Sequence, residues 1–227
     1  MFRGVSAATC LAGNRQECSP HADSQRILVT IPAFGGLRSR LQEVWKGGYW
    51  QAAVDAGFSV LALPDFTVPT FEAAIQNIQS RYANPYIVLH GFSIGALVAA
   101  YAASLWPVSA LVVDGLADDL LNAIFKDFRK NTLMRLVAPS VRANLQWSRR
   151  ICPAALRGLQ SIRWTDCPVL LVYGAEEPLM RQSLNAGLVT YAQNTERVRT
   201  WIMPNTGHCK GATEKPSEYL VQIAALH

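Results

Sequence analysis

Apolar residues in this chain gather into short unbroken runs, and between the runs they recur at every third or fourth position. Arg26 to Ile31, Phe58 to Leu63, Tyr86 to Leu89, Ala110 to Val113, Pro168 to Tyr173 and Val198 to Met203 are the runs, rich in Val, Ile and Leu. They read as strands covered on both faces, because a half-exposed strand would alternate apolar with polar. The intervening segments read as helices. Glu43 to Ala56 is helical despite Gly47 and Gly48, and Thr70 is placed to cap a helix after Pro69. That helix puts Phe71, Ala74, Ile75, Ile78 and Tyr82 on one face. Ile94 to Leu105 is apolar nearly all round and should be buried. Met180 to Ala192 is a further helix, and Pro216 to Ala225 closes the chain with Leu220, Ile223 and Ala224 inward. Strand and helix alternate throughout, which predicts an α/β three-layer sandwich around a mainly parallel sheet of about six strands.

Two segments stand outside this alternation. Residues 1–25 are polar and without a period, and are expected to form a loose N-terminal arm ahead of a domain spanning 26–227. Residues from about 116 to 164 read as about two or three short helices broken by Pro139 and Pro153.

The chemistry concentrates at Tyr86-Ile87-Val88-Leu89-His90-Gly91-Phe92-Ser93-Ile94-Gly95-Ala96. A strand runs into Gly-x-Ser-x-Gly, and a helix runs out of it. Such a tight turn lifts a serine above the sheet edge, and it requires small residues two before and two or three after the serine. Gly91, Gly95 and Ala96 meet that need. A phosphate-binding turn is the competing use of such a glycine-rich loop, but no Lys follows at the spacing that use requires. Ser93 is therefore the candidate nucleophile.

A serine needs a base. Of the four histidines, His21 lies in the arm, His227 is the last residue, and His90 sits at a strand end as a structural histidine. His208 remains, in the loop after the last strand, and parallel strands bring that loop to the same sheet edge as Ser93.

With this strand–helix order, serine turn and late histidine loop, the chain resembles the α/β-hydrolase family over about Ile27 to Ala225. The resemblance implies that an acid lies between Ser93 and His208, at a strand end. Glu177, in Gly174-Ala175-Glu176-Glu177-Pro178, matches the usual position, and Asp114 after the fourth strand is the alternative. It also implies an oxyanion hole from the N–H groups of Ile94 and Phe34, and a helical lid over about 116–164. Phe34, Phe92, Phe125 and Trp147 are the candidate substrate-lining side chains. The chain departs from the pattern at Pro32-Ala33, where His-Gly is usual, in lacking the first two strands of larger members, and in its short insertion.

Composition narrows the possibilities further. The chain has 227 residues, 50% of them hydrophobic and 16% charged, enough for one globular domain. No apolar run approaches the roughly 20 residues of a membrane span. Cys10, Cys18, Cys152, Cys167 and Cys209 are scattered without metal spacing, which points to reduced thiols and a cytoplasmic protein, with export as the alternative. No metal and no organic cofactor is implied. The net charge of +5 is uneven: Lys126 to Arg163 holds nine basic residues against Asp127 alone, or +8, leaving −3 elsewhere. A basic rim of this kind favours an anionic substrate. A carboxylated ester, a phosphopantetheine thioester, an acidic carrier protein and an anionic lipid surface are the candidates. No nucleic-acid-binding motif accompanies the charge. The expected function is hydrolysis of a small-molecule carboxylic ester or thioester through an acyl-enzyme on Ser93. The alternatives are acyl transfer or carbon–carbon hydrolysis by the same residues, or a non-catalytic binding or receptor protein on the same fold. Oligomeric state is not legible in the sequence.

Overall fold

The computed structural model describes residues 16–18, 25–31, 48–63, 68–120, 153–177, 180 and 183–226. Its strands are β1 (Gln16–Cys18), β2 (Arg26–Ile31), β3 (Ser59–Ala62), β4 (Tyr86–Phe92), β5 (Ala110–Asp114), β6 (Val169–Gly174) and β7 (Val198–Met203). They form one sheet in the order β1-β3-β2-β4-β5-β6-β7. All neighbours are parallel except β1, which runs antiparallel to β3 with Gln16 opposite Ala62. Part of the expected loose arm is thus a sheet edge. A run as short and polar as Gln16-Glu17-Cys18 carries no strand signal of its own, and pairing with β3 supplies it.

The helices are α1 (Tyr49–Asp55), α2 (Val68–Arg81), α3 (Ile94–Ala103), α4 (Gly158–Arg163), α5 (Ala186–Gln193), α6 (Gly211–Glu214) and α7 (Pro216–Ala224), with a 3-10 turn at Pro153–Leu156. Four expectations about them need correcting. Helix α2 begins at Val68, so Thr70 lies inside its first turn and is not its cap. A turn at Ser183–Asn185, with Ser183 at φ 51°, sets α5 off from Met180, where one continuous helix was expected. The short helix α6 precedes the closing one. In α7 the buried residues are Tyr219, Leu220 and Ile223, whereas Ala224 is only partly covered.

The sheet separates two apolar layers. On one face Val29, Ile31, Leu89, Leu111, Val113 and Leu171 pack against α2, α3, α4 and α5. On the other, Leu28, Val88, Val112, Leu170 and Val172 pack against α1 and α7. Period-two alternation of strand side chains produces this division, and it explains why each strand is apolar throughout. Helix α3 packs directly on the sheet. Its alanines let the backbones approach, and every residue but Ile94 and Tyr101 is buried.

From β2 the chain moves outward to β3, then crosses back over β2 to β4. The winding therefore reverses beside β2 and β4. Ligands of open parallel sheets bind outside the carboxyl ends of the strands at such a reversal. Ser93 follows the carboxyl end of β4.

Candidate active site

Ser93 sits between β4 and α3 at φ 54° and ψ −116°, a backbone conformation that side chains other than glycine rarely adopt. Two features hold it there. Its N–H donates to the Asp114 carbonyl at 2.8 Å, and its own carbonyl accepts from Ala96 N–H at 3.0 Å. The turn is tight enough that a Cβ on Gly91 would overlap the Gly95 carbonyl oxygen and come within 2.6 Å of Ala96 Cα. The small residues around the serine are thus a steric requirement of the turn.

His208 comes from the loop between β7 and α6. That loop is fastened to the end of β6: Ala175 N–H donates to Met203 O at 2.9 Å, and Glu176 N–H to Thr206 O at 3.1 Å. A Cβ on Gly174 would overlap the Thr206 carbonyl oxygen, so the two loops touch backbone to backbone. The result is that His208 Nε2 lies 3.0 Å from Ser93 Oγ. With the serine hydroxyl donating to Nε2, the ring hydrogen of the neutral imidazole belongs on Nδ1.

Nδ1 faces Glu177, whose Oε2 is 3.5 Å away. That is an ion-pair separation, longer than a hydrogen bond, and neither Nδ1 nor Glu177 Oε1 has a closer partner among the described residues. Glu177 is completely buried while the His208 side chain is 33% exposed. A turn bonds Glu177 N–H to Gly174 O at 3.1 Å, and Gly174 N–H donates back to Oε2 at 3.2 Å. A buried carboxylate without a full set of donors is costly unless a positive charge stands beside it. A protonated His208 would supply that charge.

Asp114, the alternative acid, has a different set of contacts. Its carboxylate accepts from Tyr219 Oη at 3.0 Å. Its carbonyl accepts from both Ser93 N–H and, at 3.3 Å, Cys209 Sγ. Burial pushes its carboxyl up to about 7 and the charge on Glu177 adds to the push, while Tyr219, His208 and Cys209 oppose it. Behind it lies a buried polar chain: Tyr219 Oη is 3.1 Å from His90 Nε2, and His90 Nδ1 is 2.6 Å from Tyr49 Oη. Burial holds His90 down to about 3, so it is neutral. His90 is packed in the interior, as its place in the sequence suggested.

The other expected site residues divide as follows. Ile94 is the first residue of α3, where an N–H has no acceptor within its own helix and points out of the N-terminus beside Ser93. Phe92 is not where a pocket lining would be. It is buried on the α1–α7 side of the sheet, with its ring 4.0 Å from that of His90 and 6.3 Å from that of Tyr49. Alternation dictates this, since Phe92 shares a face with Val88 and His90. Phe34, Phe125, Trp147 and most of the expected lid lie outside the described residues. Gly115, Tyr49 and Tyr219 were not singled out by the sequence, and no local signal marks them. Among the described residues no group of three or more His, Cys, Asp or Glu is arranged to hold a metal ion, and no helix is long and apolar enough to cross a membrane.

No protein-family model matches the chain, and no curated protein sequence matches it. Solved structures do. The chain is similar to the Pyrococcus furiosus esterase Pf2001, with a TM-score of 0.65 and 16% identity, over 93% of this chain and 84% of that one. It is similar to the esterase domain of a Rhodothermus marinus protein, with a TM-score of 0.64 and 16% identity over 93% and 90%. It is also similar to MGS-MChE2, an alpha/beta hydrolase enzyme from a lagoon-sediment metagenome, with a TM-score of 0.60 and 15% identity over 94% of each. At these identities the likeness establishes the fold, which is that of the α/β hydrolases.

Proposed function

We propose that this α/β-hydrolase-fold chain is a serine hydrolase that cleaves a carboxylic ester or thioester through an acyl-enzyme on Ser93. The observation that carries the reading is the 3.0 Å approach of His208 Nε2 to Ser93 Oγ at a strained strand-to-helix turn. A serine hydroxyl held merely for packing has no need of an imidazole aimed at its oxygen or of that backbone conformation.

The steps follow from the contacts. Ser93 Oγ attacks the carbonyl carbon as its hydrogen passes to His208 Nε2. Glu177, 3.5 Å from Nδ1, offsets the charge on the imidazolium, and the pair draws closer as that charge develops. The oxyanion is met by the Ile94 N–H at the α3 N-terminus, and by the N–H of Phe34 in the role the family resemblance implies for it. Collapse of the tetrahedral intermediate expels an alcohol or thiol, which takes the hydrogen from His208. Water then attacks the acyl-enzyme with His208 as base, releasing the acid and restoring Ser93.

The substrate is a small molecule, and the +8 balance of Lys126 to Arg163 favours an anionic or carrier-linked one. The test is turnover of p-nitrophenyl esters and acyl-thioesters of increasing chain length, with Ser93→Ala as control. Turnover that disappears in Ser93→Ala, together with fluorophosphonate labelling of the wild type alone, is the expected result. A folded wild type that neither turns over nor takes the label would make the chain a binding protein on this fold. Full activity in Ser93→Ala would remove Ser93 from the chemistry.

A further inference from the structure

Two helices that lie apart in the chain are both fastened to Asp118, a half-buried residue shortly after β5 that the proposed mechanism leaves unused. Its Oδ2 accepts from Gly187 N–H at 2.7 Å and its Oδ1 from Leu188 N–H at 2.8 Å, both in α5. Its own N–H donates to Leu184 O at 3.1 Å, and its carbonyl accepts from Leu159 N–H of α4 at 3.1 Å.

Helix α5 has no cap of its own. Asn185 stands at the cap position and makes no capping bond. Its side-chain amide donates to Met180 Sδ at 3.0 Å instead. The N–H groups of Gly187 and Leu188 are the second and third of the helix, the ones a cap side chain ordinarily takes. Asp118 takes both from 69 and 70 residues away. A carboxylate also suits the positive end of a helix. The fit needs a glycine at 187, where a Cβ would come within 2.8 Å of Asp118 Oδ2 and 2.9 Å of Leu159 Cδ2.

The neighbours of Asp118 are held as closely. A Cβ on Gly158 would overlap the Ala117 carbonyl oxygen. Tyr173 Oη, from β6, donates to Leu116 O at 2.8 Å. Residues 116–118 and 158–159 thus meet at one fixed place, and the chain between them leaves and returns there. Where that chain is described, its two ends lie together. Leu120 on the outgoing side packs with Ala155 and Leu156 on the returning side, against Ile94 and Tyr101. Ile94 and Tyr101 are the two residues of α3 left partly uncovered. Ile94 follows Ser93 directly, so this apolar surface begins at the residue next to the nucleophile.

A substrate divides at its carbonyl carbon. The leaving group must stand beside His208 Nε2 to receive its hydrogen, so the surface that adjoins Ser93 through Ile94 falls to the acyl chain. We propose that Ile94, Leu120 and Leu156 form an apolar acyl-binding wall, and that Asp118 is the positioning residue that holds this wall at Ser93 by clasping α4 and α5. The inference rests on the hydrolase reading and deepens it, since the acyl group is then a hydrocarbon chain longer than acetyl. Asp118 acts only through the ends of the segment that carries Leu120 and Leu156.

The experiment measures KM and kcat for acetyl and octanoyl p-nitrophenyl esters and the corresponding acyl-thioesters, with wild type, Asp118→Ala, Asp118→Asn and Leu120→Ala. In Asp118→Ala the KM for octanoyl substrate is expected to rise roughly tenfold relative to that for acetyl, because a displaced wall loses contacts with the chain and not the attack on the carbonyl. Leu120→Ala should move the ratio in the same direction. Asp118→Asn, which keeps one acceptor oxygen at the helix end, should fall between wild type and Asp118→Ala. A role in folding alone would lower the active fraction, and with it kcat for both chain lengths alike, while leaving the KM ratio in place; that result would overturn the proposal. So would a wild type whose KM does not fall from acetyl to octanoyl. Should Asp118→Ala not fold, Leu120→Ala and Asp118→Asn still decide, and an unmoved ratio in both would overturn the proposal. A wild type that turns over none of these substrates and takes no fluorophosphonate label removes the hydrolase reading itself, whereas a labelled, active wild type with an unmoved ratio in the variants removes this inference alone.

Discussion

Gly115 and His208 adjoin with no room for a methyl group between them. Gly115 has φ 70°, and a Cβ there would enter the imidazole at Cε1. The glycine thus satisfies two demands together: a left-handed backbone turn at the end of β5, and a flat surface for the histidine ring. Gly115→Ala is expected to displace the ring and lower kcat/KM by about a hundredfold or more, as sub-ångström to ångström misplacement of a catalytic group does. Steady-state kinetics beside thermal unfolding check this. A variant as active as wild type would mean that His208 tolerates another position.

The two carboxylates near the site should differ in what their neutralisation costs. Glu177 faces Nδ1 directly, whereas Asp114 is engaged by Tyr219. Glu177→Gln is expected to reduce kcat by about a thousandfold to ten-thousandfold, the scale seen when a triad acid becomes an amide. Asp114→Asn should reduce it far less. Parallel kcat measurements decide, and the opposite order would make Asp114 the triad acid.

Stability should vary with pH in a way that two buried groups set against each other. His90 falls from its ordinary 6.5 to about 3 in the fold, so its contribution is full above about 6.5 and is lost as pH falls toward 3. Asp114 rises from 3.8 to about 7, so the folded form holds a proton that the unfolded form has lost, and stability falls as pH rises from about 4 to 7. The slopes oppose each other between about pH 4 and 6.5 and largely cancel there. In Asp114→Asn only the His90 slope remains. Acidification across that window should then cost on the order of 1 kcal/mol per pH unit more than in wild type. Urea unfolding at pH 4.5 and 6.5 measures it, and equal pH dependence in the two proteins would contradict the opposed pair.

If the basic stretch from Lys126 to Arg163 steers substrate, kcat/KM for an anionic ester should fall with added salt while that for a neutral ester holds. Equal salt dependence would remove the basis for an anionic substrate.

The sequence by itself determined the layers and the tight strand-to-helix turn at Ser93, because both depend on near neighbours. Continuous runs such as Val169 to Tyr173 require a strand covered on both faces, and Gly91, Ser93 and Gly95 carry the steric requirement of the turn within five residues. His208 was reachable by elimination among four histidines, given that parallel strands deliver their loops to one edge. Where local signal was weak, expectation and structure parted. The strand at Gln16–Cys18 exists through pairing with β3, and Phe92 is turned into the layer beneath α1 and α7 by the alternation of β4. Only the tertiary structure decided how the two acids divide. Glu177 and Asp114 stand at the ends of adjacent parallel strands, and nothing in their local sequence says which will meet Nδ1 and which will meet a tyrosine from α7. That depends on contacts between residues far apart in the chain, Glu177 with His208 and Asp114 with Tyr219, which form only when the β7 loop and the closing helix have packed onto the sheet.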